Sequence, residues 1–163
     1  MRSILLCVLL LLTSPLHAAD TGNIAGKIVG TWKLVAVEYE DAQTKERTPV
    51  LGLHPHGYQI ATPEGRWIAL VTADGRPVPK TDEERAKALR TMIAYSGRYR
   101  VEGDKVITKV EVAWNEAWVG GEQVRFLRFE GDDVLHIESP PMPHPNVNNR
   151  TVRVIVTWAR DKS

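Results

Sequence analysis

Two arginines inside an apolar run are the side chains of this sequence best suited to hold a ligand. Arg125 and Arg128 lie in the run from Gln123 to Phe129, whose hydropathy does not alternate cleanly, so one of them is expected to face inward. An inward guanidinium is costly unless a carboxylate or a bound anion pairs with it. Glu38 and Glu111 are candidate partners. The pattern indicates a buried ion pair or an anion site, and it leaves open which arginine faces inward.

Aromatic side chains are spread along the chain, as expected for a site that takes an apolar ligand. Packing in the hydrophobic core is the alternative for each of them. Trp114 and Trp118 bracket one loop. This loop would form either the rim of an entrance or a segment held in place by two buried indoles. The residues predicted to contact a ligand, in the interior or at the rim of a β-barrel, are Tyr58, Trp67, Tyr95, Tyr99, Trp114, Trp118, Arg125 and Phe126.

The histidines do not form a recognisable metal site. His54 and His56 share one loop, while His136 and His144 lie far along the chain. A metal site needs three or four converging ligands, and the proline between the first two histidines does not make them converge. We therefore predict no metal and no cofactor.

Catalytic motifs are equally scarce. His56 or a carboxylate could act with Tyr58 as an acid–base pair. The sequence nevertheless has no nucleophile motif, phosphate-binding glycine loop or HExxH pattern. We therefore predict no catalytic residue.

Residues 1–19 are typical of a secretory signal peptide. A basic start at Arg2 precedes an apolar run from Ile4 to Leu12, and small residues end at Ala18 and Ala19. The run is too short to span a bilayer, which needs about 20 apolar residues. The single cysteine, Cys7, lies in this run. We predict a periplasmic or secreted protein with no thiol, no disulfide and no stable membrane anchor after cleavage.

Charge argues against one class of partner. The chain has 21 Lys and Arg against 20 Asp and Glu, and no basic tract stands out. A surface that neutralises nucleic-acid phosphates is therefore not expected. The sequence does not specify an oligomeric state.

Short alternating strands joined by tight turns make up most of the rest. Residues 20–27 are predicted to be a flexible N-terminus and residues 28–161 a single β-barrel domain. The capping-box spacing of Thr81 and Glu84 opens one short amphipathic helix, from about Asp82 to Ala94. Eight strands around one helix predict an all-β fold, an eight-stranded antiparallel up-and-down barrel whose closure leaves no exposed edge.

Closure of such a barrel has a geometric consequence. If the last strand pairs antiparallel with the first, Arg160 and Trp158 lie beside Gly30 and Trp32. A guanidinium stacked on the indole of Trp32 would seal that end. A solvated terminal arginine is the alternative.

Several stretches carry a family resemblance that covers about Val29 to Arg160. They are Gly30-Thr31-Trp32 with an arginine near the end of the last strand, Thr62 to Arg66, Met92 to Tyr99, Trp114-Asn115 with Trp118 to Gly120, and Gln123 to Phe126. Together they resemble the bacterial lipocalin-like domain family. The resemblance implies a calycin-type barrel and no settled activity.

These observations favour an exported barrel that binds a small hydrophobic or amphipathic molecule without catalysis. An isomerase or cyclase that uses the barrel cavity is one alternative, with Glu38, Glu111 or His56 buried beside Tyr58 or Arg125. A cell-envelope interaction module is the other alternative, and it would show a large exposed apolar patch.

Overall fold

The computed structural model describes residues 21–144 and 147–162, so the predicted signal peptide, residues 1–19, lies outside the described residues. The helices are α1 (Thr21–Lys27) and α2 (Asp82–Arg90), with a 3-10 turn at Glu116–Trp118. The strands are β1 (Gly30–Asp41), β2 (Arg47–Pro49), β3 (His56–Ala61), β4 (Arg66–Thr72), β5 (Met92–Glu102), β6 (Lys105–Ala113), β7 (Glu122–Glu130), β8 (Val134–Glu138), β9 (Met142–Pro143) and β10 (Thr151–Arg160).

Eight of these strands form a closed antiparallel barrel, in the order β1-β3-β4-β5-β6-β7-β8-β10 and back to β1. The short strands β2 and β9 pair with the ends of β1 and β10. This confirms the predicted eight-stranded barrel. Alternate residues face the interior, as the pleat requires, and the core inside it includes Trp32, Leu34, Val37, Trp67 and Leu135.

Two irregularities change which residues face inward. The register shifts between Leu34 and Ala36 in β1. In the β5–β6 pair, Ser96 lies opposite Val112 and Gly97 opposite Val110, so β6 carries one extra residue. Because a bulge moves every later side chain to the other face, Val112 is exposed although Val110 is buried.

The sequence analysis predicted one helix, whereas the structure has α1 before the barrel and α2 between β4 and β5. Residues 21–27, expected to be flexible, form α1, and Ile24 packs against the core one turn before the fully buried Ile28. The predicted capping box opens α2, but this helix ends at Arg90. Ile93 pairs with Val71 of β4. Residues from Met92 to Ala94, which the sequence pattern assigned to the helix, therefore belong to strand β5. In the described part of the chain, neither helix has the length and apolar character needed to cross a membrane.

One end of the barrel is sealed by the arrangement that closure predicts. The Arg160 guanidinium carbon lies 4.1 Å from the centre of the Trp32 ring. Its nitrogens donate to the carbonyls of Lys27 (2.7 Å), Val29 (3.1 Å) and Asp132 (2.8 Å). Trp32 is fully buried, and its indole N–H donates to the carbonyl of Ile28 at 2.9 Å.

Gly30 and Trp158 complete the sealed end of the barrel. Gly30 has φ +133°, a conformation that L side chains rarely adopt, and a Cβ there would lie 3.0 Å from an Arg160 nitrogen. Trp158 is buried on the neighbouring strand, opposite Leu34. A ligand therefore has no route through this end of the barrel.

Candidate functional site

A chain of five aromatic rings runs through the interior to the loop after β6. The Trp67 ring lies 5.9 Å from Tyr99 and 6.4 Å from Tyr95. The Tyr95 ring centre lies 5.6 Å from that of Trp118, and the Trp118 ring centre lies 4.7 Å from that of Trp114. Both pairs are in edge-to-face contact. Alternation in β4 and β5 turns the first three rings inward, and the 3-10 turn places Trp118 against them. Five of the predicted contact residues are therefore brought together.

Arg125 is the arginine that faces inward. It lies opposite Val106, a buried interior residue, and donates to the carbonyl of Val124 and to the side-chain oxygen of Gln123, both at 2.7 Å. Among the side chains that the structure describes, no carboxylate forms an ion pair with it. Arg128 faces outward and pairs with Glu130 at 2.8 Å and, less closely, with Glu138 at 3.3 Å.

The electrostatics of the interior link Arg125 to Tyr95. Burial lowers the pKa of the Arg125 guanidinium, and Tyr95 acts in the opposite direction. Burial raises the pKa of the Tyr95 phenol, while the Arg125 charge and the Trp67 indole N–H oppose that rise. The phenol is therefore neutral at physiological pH. An arginine guanidinium stays charged in proteins, so the interior carries a positive charge close to Tyr95.

Gln59 is an interior polar residue that sequence reasoning missed. It is 0% exposed, and neither its amide nitrogen nor its amide oxygen has a hydrogen-bond partner among the described residues. Its strand, β3, lies across the barrel from β7. The available signal was strand alternation, which places Gln59 on the same face as Ala61 and opposite to Tyr58 and Ile60.

Two predicted contact residues do not join this group. Tyr58 is 47% exposed on the outer face of β3, because its neighbour Gln59 faces inward. Phe126 lies on the outer face of β7, because Arg125 faces inward, and Lys105 lies over its ring at 5.4 Å from the centre.

Solvent reaches part of the interior. Tyr95, Tyr99, Gln123, Arg125 and Val156 all face inward but are only partly buried. Two cavities of about 270 and 290 Å³ lie elsewhere, one beside Ile60 and Ile68 on the outside of the sheet and one between α2 and the loop before it. Neither of these two cavities lies in the barrel interior beside Arg125 and Tyr95.

The groups considered for catalysis lie away from Arg125. Glu111 is exposed and forms an ion pair with Arg66, and Glu38 lies 3.6 Å from Arg47 on the outer face. His56 is exposed at the start of β3.

Two other histidine rings make side-chain hydrogen bonds. His136 contacts Thr157 and Glu130, and His144 contacts Tyr39. Within residues 21–144 and 147–162, no group of three or more His, Cys, Asp or Glu side chains could hold a metal ion.

Residues 29–161 match the sequence model of the lipocalin-like domain, which covers every strand of the barrel. The chain belongs to the lipocalin-like domain family. The lipocalin-like chain is also 34% identical, over 89 residues, to the 4'-hydroxy-3'-methoxypropiophenone carrier protein of Aspergillus oryzae, in an alignment that covers 49% of this chain and 77% of that protein.

Two solved structures are similar to this lipocalin-like barrel. A lipocalin-like protein from Bacteroides uniformis has 12% sequence identity and a TM-score of 0.47, covering 83% of this chain and 100% of its own. A protein from Bacteroides eggerthii has 13% identity and a TM-score of 0.42, covering 82% of this chain and 98% of its own.

The interior of this lipocalin-like protein contains three polar groups that can contact a small molecule. Arg125 supplies a fixed positive charge, Tyr95 a neutral phenol, and Gln59 an amide that can both donate and accept. The rings of Trp67 and Trp118 flank Tyr95. These groups can orient a small molecule, and among the described residues no nucleophile with an adjacent base accompanies them.

Proposed function

We propose that this lipocalin-like protein binds a small, mostly apolar molecule in the barrel interior and performs no chemistry of its own. The aromatic chain from Tyr99 to Trp114 carries this proposal, because it joins the interior to one loop and leaves inward-facing residues partly exposed. Aromatic surfaces with a few fixed polar groups are typical of small-molecule sites. The relative named as a carrier of an aromatic ketone supports the same function.

We further propose that the protein acts outside the cytoplasm, in the periplasm or as a secreted protein. The proposal rests on the basic start, apolar run and small residues of positions 1–19. Native mass spectrometry of protein purified from the periplasm of its host tests both proposals. A mature chain beginning near Asp20, with a stoichiometric extra mass that is lost on denaturation, is the expected result.

Trp118→Ala is expected to weaken binding of 4'-hydroxy-3'-methoxypropiophenone, used as a probe, about tenfold. The indole contacts both Tyr95 and Trp114, and loss of one aromatic contact costs about 1.4 kcal/mol, or a factor of ten. Isothermal titration calorimetry measures the dissociation constant. Tyr58→Ala, an aromatic deletion on the outer face, should leave it unchanged. Equal effects of the two variants, or no binding to the wild type, would contradict an interior site for this class of molecule.

A second candidate function, interaction through the outer surface, is favoured by an exposed apolar patch. Six side chains between 39% and 66% exposed lie on the outer face of β1, β3, β4 and β6: Val35, Tyr58, Ile60, Ile68, Leu70 and Val112. The opposite side of the barrel is covered by ion pairs among Arg47, Glu40, Arg153, Glu138, Arg128 and Glu130. Patches of this kind often mark interaction surfaces.

Under this second function, the mature protein should co-sediment with the envelope fraction of its host, and Leu70→Glu should release it. A charge placed at the centre of the patch cannot be buried against a partner without cost. The variant should leave the probe titration unchanged, because Leu70 faces outward. Protein that stays in the supernatant before and after the substitution would rule this function out.

A further inference from the structure

Among the described residues, no carboxylate supplies a counter-charge to the interior guanidinium of Arg125. Its two hydrogen bonds go to neutral oxygens of its own strand, the carbonyl of Val124 and the amide of Gln123. A guanidinium has five N–H donors, so three remain for another acceptor. A partly buried charge without a partner is unfavourable, and proteins usually retain one where something else supplies the opposite charge.

The two arginines of β7 provide a contrast within one strand. Arg128, on the outer face, contacts the carboxylates of Glu130 and Glu138. Arg125, three residues earlier and on the inner face, contacts no carboxylate of the described residues. Among the described residues, the nearby carboxylates of Glu130 and Glu138 therefore pair with the outward arginine. The inward guanidinium of Arg125 remains available to a bound molecule.

Unpaired polar groups on the opposite wall point the same way. Gln59 is fully buried, and both ends of its amide lack a hydrogen-bond partner among the described residues. Buried polar groups are nearly always paired in folded proteins. An interior meant for a pure hydrocarbon would not need a guanidinium on one wall and an amide on the other.

The aromatic rings lie between these polar groups in the order of the strands. Trp67 is on β4 and Tyr95 on β5, whereas Gln59 is on β3 and Arg125 on β7. Tyr95 is close enough to Arg125 for each to affect the other's protonation. A planar aromatic molecule lying against Trp67 and Tyr95 would therefore place an anionic substituent beside Arg125.

We propose that the ligand is a small aromatic oxyanion, a carboxylate or an ionised phenol, whose charge pairs with Arg125 and whose ring lies against Tyr95 and Trp67. This inference rests on the proposed function, because it assigns a chemical class to the ligand of the same interior. An oxyanion can accept two parallel N–H bonds from a guanidinium, the strongest geometry available to arginine. The charge, and not the apolar area alone, then sets the affinity.

Three probes with the same ring test this proposal: 2-naphthoate, 2-naphthol and the neutral 2-naphthamide. Calorimetric titration of the wild type at pH 7 should give naphthoate at least tenfold tighter binding than naphthamide. If the natural oxyanion is a phenol, naphthol binding should instead strengthen as the pH approaches the ordinary phenol pKa of about 10. The naphthoate comparison thus tests for a carboxylate ligand, and the pH dependence of naphthol binding tests for an ionised phenol.

Arg125→Gln should remove the charge preference. We expect naphthoate binding to weaken tenfold or more and naphthamide binding to change less than threefold. Arg125→Lys, which keeps the charge, should retain part of the naphthoate affinity and so separates charge loss from misfolding. Arg128→Gln is the matched control on the outer face of the same strand, and it should alter neither probe.

The outcomes separate this proposal from the function on which it rests. Equal affinity for naphthoate and naphthamide, together with naphthol binding that does not strengthen as the pH rises, would overturn the oxyanion. If Trp118→Ala still weakens all three probes, an interior apolar site is left standing. Unchanged naphthoate binding in Arg125→Gln would also overturn it. Failure of all three probes to bind the wild type would overturn it as well, and the ketone titration then decides the proposed function by itself.

Discussion

Gly97→Ala should destabilise the barrel by about 3 kcal/mol, the upper end of the usual cost of overpacking. A Cβ at Gly97 would fall well inside contact distance of the Lys109 carbonyl oxygen, and only 2.9 Å from the carbon that bears it. Val110 Cα would be 3.1 Å away. These are backbone atoms of β6 that cannot rotate aside, so the strands must separate where the β5–β6 register shifts. Urea unfolding followed by far-ultraviolet circular dichroism gives the free energy.

Gly26→Ala is the matched control for this substitution. Gly26 lies in α1, and a Cβ there would meet nothing within 4 Å. Alanine is preferred over glycine in helices by up to about 1 kcal/mol, so the control should be neutral or slightly stabilising. Equal unfolding midpoints for the two alanine variants would show that the strands have room for a Cβ at position 97.

Trp32→Ala should lower the free energy of unfolding by about 3–5 kcal/mol, as expected for removal of a fully buried tryptophan. The substitution deletes the indole hydrogen bond to Ile28, the surface under Arg160 and the neighbour of Phe129, whose ring centre is 6.1 Å away. Trp114→Ala, at the partly exposed end of the aromatic chain, should cost about 1 kcal/mol. A smaller loss for Trp32 than for Trp114 would contradict its role in sealing the barrel.

The stacking of Arg160 on Trp32 can be measured separately by a double-mutant cycle. Trp32→Ala, Arg160→Ala and the double variant should show a coupling energy of about 0.5–2 kcal/mol. Additive effects would mean that Arg160 acts through its three carbonyl acceptors alone.

The sequence predicted the barrel and its closure because both depend on alternation and strand pairing. Tyr95 and Tyr99 alternate with polar residues in one strand, so their shared inward face followed from the pattern. Antiparallel pairing of the first and last strands was enough to place Arg160 at Trp32.

The pattern failed where both faces of a strand carry apolar residues. Tyr58 and Ile60 flank Gln59, and hydropathy alone would turn the two apolar residues inward, whereas the glutamine is the buried one. The same inversion separates Phe126 from Arg125. These reversals occur at the candidate site, where an interior that binds a molecule needs polar groups that a packed core would exclude.

Pairing of β1 with β10 also determines the order in which the protein can fold. Synthesis produces β1 first and β10 last, so one edge of β1 keeps unpaired N–H and C=O groups until the end of the chain is available. Contacts between residues this far apart form slowly, because a long loop must close first. A chain that stops before Thr151 would therefore not yield a smaller barrel. It would leave β1 and β8 as two open edges, each a template for aggregation with other incomplete chains.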